Sequence, residues 1–224
     1  LFIAIFIFYF LYFTSPSLGQ SKYKFLIYGF LLFGFFLTFS RIIVFLWLIG
    51  FVFLIRKLNK KMIMTTLAVA FLFLILFWPQ VLARLHFSTS EEAVSLRSFY
   101  NKAALFQKPF FGVGLGNFVN WFKEINSGLS PNLYQPVHNI YLLIFSEIGI
   151  LGLAMFLLFL FFLAKSYLKI SFNRPFHYSL FIIFISILFF GLFDHFLWTL
   201  QQGQIILWLV LGLIAALPQK VPVA

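Results

Sequence analysis

Residues 139–164 read NIYLLIFSEIGILGLAMFLLFLFFLA, a run of 26 residues with a single charged side chain, Glu147. About 20 apolar residues in a helix cross the hydrocarbon core of a bilayer, so this run reads as one crossing. Six further runs of the same character lie at roughly 1–13, 25–40, 42–55, 62–82, 178–198 and 204–219. The composition agrees. Hydrophobic residues make up 63% of the 224 and charged residues 9%, against roughly half and a quarter in an average soluble domain. Such a chain cannot cover a surface facing water, and its solvent must be lipid. The expectation is an all-α polytopic membrane protein with about seven transmembrane helices, forming a single membrane domain over 1–224.

Two classes of function fall away early. The chain has no cysteine, so disulfides and cysteine-held metals or clusters are excluded. The net charge of +11 resembles that of a nucleic-acid binder, but the basic residues lie scattered between apolar runs. In a membrane protein such residues set orientation. The 37 phenylalanines read as membrane filler. The chain opens at Leu1 inside an apolar run, with no charged n-region or small-residue cleavage site. The expectation is a C-terminal portion of a longer protein.

The runs 25–40 and 42–55 are short, and Arg41 is what separates them. They are either two crossings joined by a very tight turn or one long broken stretch. Lys22 and Lys24 lie on one side and Arg56, Lys57, Lys60 and Lys61 on the other. Two crossings put both groups on one face, so two are expected. With Arg56–Lys61 inside, the positive-inside rule also places Lys165, Lys169, Arg174 and Lys220 there, giving ten basic residues and none of the five acids. The other face receives Arg41, a long segment at 84–138, and Asp194 with His195 at the end of the sixth run. Nearly every residue capable of chemistry is thus assigned to the extracytoplasmic side.

Segment 84–138 is too long for a plain connector. Ser88 with Glu91, or Thr89 with Glu92, has capping-box spacing, and Pro109 marks an end, so a helix is expected from about Ser88 to Gln107. On it Phe99, Ala103 and Phe106 share one face, and Arg97, Asn101 and Lys108 another. An interfacial helix with a solvated basic face is the simpler reading. Gly112, Gly114 and Gly116 follow, ahead of Asn117. The spacing is neither a Walker loop nor a dinucleotide fingerprint. It marks tight backbone that can offer N–H groups to an anion, or a plain turn. His138 and Asn139 then stand at the membrane boundary. An imidazole titrates near physiological pH and suits proton transfer, or serves as an interfacial anchor.

Arg41, Arg97 and His138 fall on one face by an argument that never used their chemistry. Together they suit one kind of reaction. Arginine's planar fork holds phosphate oxygens, and histidine supplies a base for a hydroxyl nucleophile. The acids on this face are few and mostly far apart, so no metal site or other cofactor is expected, and arginines stand where a metal ion would.

The ordered set Thr38-Phe39-Ser40-Arg41, Arg97, Gly112-Val113-Gly114-Leu115-Gly116-Asn117-Phe118, His138-Asn139-Ile140-Tyr141-Leu142 and Glu147-Ile148-Gly149-Ile150-Leu151-Gly152 resembles the O-antigen ligase and O-antigen polymerase superfamily. The late Asp194-His195-Phe196-Leu197-Trp198-Thr199 also resembles bacterial members. The resemblance implies a GT-C-type glycosyltransferase in the bacterial inner membrane. Its donor would be a glycan on undecaprenyl diphosphate. Its acceptor would be a hydroxyl of a glycan, such as lipid A-core in the ligases or another lipid-linked repeat in the polymerases. Carried over by position, Arg41 and Arg97 would contact the diphosphate and His138 would be the base. Gly112, Gly114 and Asn117 would shape the loop beside it, with Asn139, Asp194 and His195 completing the substrate cavity.

Glu147 lies about 13 Å along a helix from His138, where a carboxyl is costly unless paired or neutral. A hydrogen bond within the bundle is its simplest role. Gly149 and Gly152 suggest close helix packing, and Trp198 suits an interfacial anchor. Two other classes of function compete with the transferase. A transporter or flippase of lipid-linked sugars would also use arginines but should show internal repeats, and none is visible. A non-catalytic assembly subunit would use the long loop for docking.

Overall fold

The computed structural model describes residues 5, 7–9, 11–12, 20–85, 92–105, 110–169 and 175–216, with the side chains of 57, 92–94 and 175–176 set aside. Every regular element among them is helical. In order they are α1 (Lys24–Phe36), α2 (Arg41–Leu54), a 3₁₀ turn (Ile55–Lys57), α3 (Lys60–Leu85), α4 (Glu92–Leu105) and α5 (Phe118–Ile125). A second 3₁₀ turn (Pro131–Leu133) precedes α6 (Ile140–Leu168), α7 (Pro175–Phe190), α8 (Phe196–Thr199) and α9 (Gln201–Ala216). Two of these, α3 and α6, are long and apolar enough to cross a membrane, while α1, α2, most of α7 and α9 are apolar but shorter. Their 26 and 29 residues, at about 1.5 Å each, exceed a hydrocarbon core of about 30 Å.

Large apolar side chains point outward. Phe30 is 79% exposed, Met155 73% and Phe71 66%. In water each would forfeit about 1.5–3 kcal/mol available from burial. Lipid removes that cost.

The chain divides into two compact units, Leu1–Phe87 with Phe172–Ser186, and Ser88–Ser171 with Ile187–Ala224. In the first, α1 packs on α3. A buried polar ladder joins them: the Tyr28 hydroxyl lies 2.8 Å from Thr66 Oγ1, which itself donates to the Met62 carbonyl at 3.0 Å. The Tyr9 hydroxyl meets Tyr28 at 2.5 Å. Hydroxyls buried among apolar groups are stable there because each has a partner.

The break at Arg41 is decided in favour of two helices. α1 stops at Phe36 and α2 starts at Arg41. The turn is made at Phe39, which has φ +47, an uncommon conformation for a side chain of this size. Its ring is held against Phe73 and Phe77, with centroids 5.4 and 5.8 Å away. α3 is kinked: Phe77 leaves helical geometry and Pro79 lies inside the helix, where it lacks the N–H to continue the ladder.

In the second unit α4, α5 and α9 pack on α6. The core is Tyr100, Ala104, Phe118, Phe122, Val137 and Leu143, all buried. α4 begins at Glu92; the capping residues Ser88, Thr89 and Glu91, like Phe106, Gln107, Lys108 and Pro109, lie outside the described residues. Its buried face carries Tyr100 and Ala104, with Leu96 and Ala103 partly buried. Phe99 is 38% exposed. The face therefore differs by a residue from the one read in the sequence, because the Tyr100 hydroxyl finds the Leu133 carbonyl at 2.7 Å.

α6 is interrupted at Gly149, with φ +74 and ψ −176. The glycine-rich loop docks at the break. Val113 N donates to the Ser146 carbonyl and Gly114 N to the Glu147 carbonyl, each at 2.9 Å. Irregular backbone within an apolar helix survives only where such groups are satisfied again. The fit is reciprocal: a Cβ at Gly112 would collide with the Glu147 backbone, and one at Gly149 with the Phe110 backbone.

The run 178–198 is not one helix. α7 ends at Phe190, a turn follows, and Asp194 Oδ1 accepts from Phe196 N at 2.8 Å to start α8. The Gly191 carbonyl accepts from Ile140 N at 2.7 Å, and the Tyr141 hydroxyl donates to the Leu188 carbonyl at 2.8 Å. These bonds satisfy groups left over at two helix ends. They also fix the start of α6 beside the end of α7.

Candidate functional site

That lacing brings together residues far apart in the chain. The His138 and His195 rings lie 5.0 Å apart. His138, Asp194 and His195 each offer an atom of ligand type within 4.8 Å of the others. Tyr100 stands over His138 with ring centroids 6.3 Å apart. His138 Nδ1 is enclosed and makes no hydrogen bond to any described residue. The His195 Nδ1 lies 2.6 Å from Thr199 Oγ1, which orients that imidazole.

Burial lowers the His138 pKa from its ordinary value. The neighbouring His195 and Arg97 lower it further, and Asp194 opposes them. Burial likewise lowers His195, again against Asp194. Both rings are therefore neutral at pH 7, the state in which a lone pair is available to take a proton. The same state is the one in which imidazole ligates a divalent ion, and with Asp194 the two rings form a triangle of donors suited to zinc in chemistry. In the sequence Asp194 and His195 are assigned to the same face as His138, but their direct approach to it across the chain has no signature in spacing.

The remaining predicted residues have definite places. Arg97 lies on α4, exposed and near enough to His138 to act on its charge. Gly112, Gly114 and Gly116 all have positive φ, so the loop does require glycine. Asn117 holds that loop: its Nδ2 donates to the Val113 carbonyl at 3.1 Å and its Oδ1 accepts from Asn120 at 3.0 Å. Asn139 caps α6, its Oδ1 accepting from the backbone N of Tyr141 and Leu142 at 2.9 and 3.0 Å. Glu147 is buried and paired, accepting at Oε2 from Trp198 Nε1 at 3.1 Å. This is the bundle hydrogen bond read from the sequence, with a partner the sequence could not name.

Arg41 belongs to the first unit. There it lines an apolar pocket of about 360 Å³ with Phe36, Val44, Phe73 and Arg84. Arg84 stands in no motif of the sequence. Two guanidinium groups beside an apolar hollow suit an anionic head with a long hydrocarbon tail.

A profile of the O-antigen ligase family matches residues 26–157. The match covers more than half of the chain, from α1 through the break in α6, and includes Arg41, Arg97, the glycine loop and His138. The chain belongs to the O-antigen ligase family. No curated protein and no solved structure matches it. The O-antigen ligase family is one of membrane proteins with glycosyltransferase-like activity in surface-polysaccharide synthesis, and its substrates are in general a lipid-linked glycan and an acceptor. Asp194, His195 and Trp198 lie beyond the matched residues of this family member, and only the folded chain brings them to His138 and Glu147.

Proposed function

We propose that this chain transfers a glycan from undecaprenyl diphosphate to an acceptor hydroxyl on the outer face of the bacterial plasma membrane. It does so without a metal, His138 serving as a base and not as a metal ligand, in a GT-C-type architecture in which the chain makes about seven crossings. The observation that carries the reading is His138, neutral at pH 7 with an enclosed, unpartnered nitrogen, beside the charge of Arg97. In the reaction His138 takes the proton of the acceptor hydroxyl. The oxygen bonds to the anomeric carbon, and the bond from that carbon to the diphosphate oxygen breaks. The electron pair leaves with undecaprenyl diphosphate, whose charge Arg97 balances.

The test is transfer by the full-length protein in buffer containing EDTA, wild type against His138→Ala, with linkage analysis of the product. A new glycosidic bond in the wild type and a loss of about 10²–10⁴-fold in the variant are expected. Undiminished turnover in the variant removes His138 from the mechanism. Movement of the lipid-linked sugar with no new bond would make the protein a transporter instead. The linkage formed and the acceptor consumed also separate a ligase from a polymerase of the same superfamily.

A further inference from the structure

A cavity of about 500 Å³ opens in the second unit, lined among others by Glu147, Trp198, Thr199, Gln204 and Trp208. Its size is that of a small-molecule site. No lysine or arginine is among its described lining residues, so nothing there balances a diphosphate. The carboxyl of Glu147, the amide of Gln204 and the hydroxyl of Thr199 in the wall also keep lone pairs that a prenyl or acyl chain could not use.

The wall does match a sugar ring. A pyranose has an apolar C–H face that lies against an indole, and hydroxyls around its rim that need acceptors and donors. Trp198 is held ready for this. Its Nε1 is spent on Glu147, Phe156 packs against its ring at 5.9 Å, and Gln204 Nε2 donates to its carbonyl at 2.6 Å. Trp208 is 49% exposed and adds a second aromatic surface. The cavity also adjoins the histidines. Thr199 lines it and lies 2.6 Å from His195 Nδ1, and Pro136, two residues before His138, lines it too.

We infer that this cavity is a carbohydrate subsite that seats one pyranose residue next to the His138–His195 pair. The inference rests on the glycan-transfer reading for the identity of the reaction, and on the cavity alone for the class of ligand. The sugar belongs either to the donor glycan or to the acceptor glycan.

The test uses full-length protein in lipid nanodiscs with three probes: undecaprenyl diphosphate without sugar, lipid-linked glycan purified from the producing cells, and the acceptor glycan. Variants are Trp208→Ala, Trp208→Phe and Glu147→Gln. Binding of the sugar-free lipid should stay within about twofold in all of them. Trp208→Ala should weaken either the glycolipid or the acceptor by about tenfold, and Trp208→Phe should restore most of it, since a ring face is kept. Weakened glycolipid assigns the donor sugar, and weakened acceptor assigns the acceptor sugar; either supports the subsite. Equal weakening of the sugar-free lipid, or no change with any probe while Trp208→Ala stays folded, overturns it. Because binding is read directly, a protein that binds the glycan but makes no glycosidic bond would sink the transferase reading and leave the subsite standing.

Discussion

Three influences hold the His138 imidazole below its ordinary pKa, namely burial, His195 and Arg97, and Asp194 alone pushes it up. A base must be deprotonated to act, so transfer by the wild type should be flat near pH 7 and above, and fall only at a pH below the ordinary imidazole range. Neighbours should move that acid limb in opposite directions. Arg97→Gln removes a positive charge that disfavours the imidazolium, so the inflection rises towards the ordinary value. Asp194→Asn removes a negative charge that favours it, so the inflection falls. Profiles of kcat/KM against pH read both shifts even where the rate itself drops. An inflection that stays put in both variants would mean that the titrating proton is not on His138. At this scale the sequence exposed His138 through its place at the edge of an apolar run. It placed Asp194 on the same face as His138, but the contact between them across the fold has no signature in spacing.

Elements in this protein are shaped by backbone exceptions more than by propensity. The glycine loop and the break in α6 form one joint, in which Gly112 and Gly149 each occupy space that a Cβ would need. Alanine at either position meets both the cost of a positive φ, about 1–2 kcal/mol, and that of a backbone collision, about 1–3 kcal/mol. Gly116 has φ +70 but nothing near its absent Cβ, so Gly116→Ala should cost only about the first of these. Thermal unfolding in detergent should therefore rank Gly112→Ala and Gly149→Ala well below Gly116→Ala, with wild type highest. Equal midpoints for all three would show that the joint does not bear on stability. The turn at Phe39 makes the same point: apolar runs on either side of Arg41 leave its number of helices open, and the aromatic clamp of Phe73 and Phe77 closes it.

At the scale of the whole molecule, the outward apolar surface makes lipid the solvent, and the proposed sidedness rests on the distribution of charge. The chain contains no cysteine, so single cysteines report position without background. Ser127 and Lys61 are both exposed, on opposite sides of the bilayer in the proposed orientation. In intact spheroplasts a membrane-impermeant maleimide should label Ser127→Cys, while Lys61→Cys should react only after permeabilisation. The reverse pattern would invert the topology and place the proposed site on the cytoplasmic face.

Sequence alone determined the class of solvent, the helical character and the family. Each of these is written in composition, run length and the order of short motifs, all local properties of the chain. The rough extents of α3 and of α6 were legible for the same reason, and so were Arg41, Arg97 and His138 as residues of interest. Tertiary structure decided which of them have company. It laid the end of α7 against the start of α6, through Gly191 and Tyr141, and so brought Asp194 and His195 to His138. It broke α6 at Gly149 and filled the break with a loop from earlier in the chain. It gave Glu147 a partner in Trp198 and opened the cavity they share. The apolar runs specify no such pairings, since lipid accepts every face of a helix equally. In this protein the joining is done by a few glycines, helix ends and hydrogen bonds.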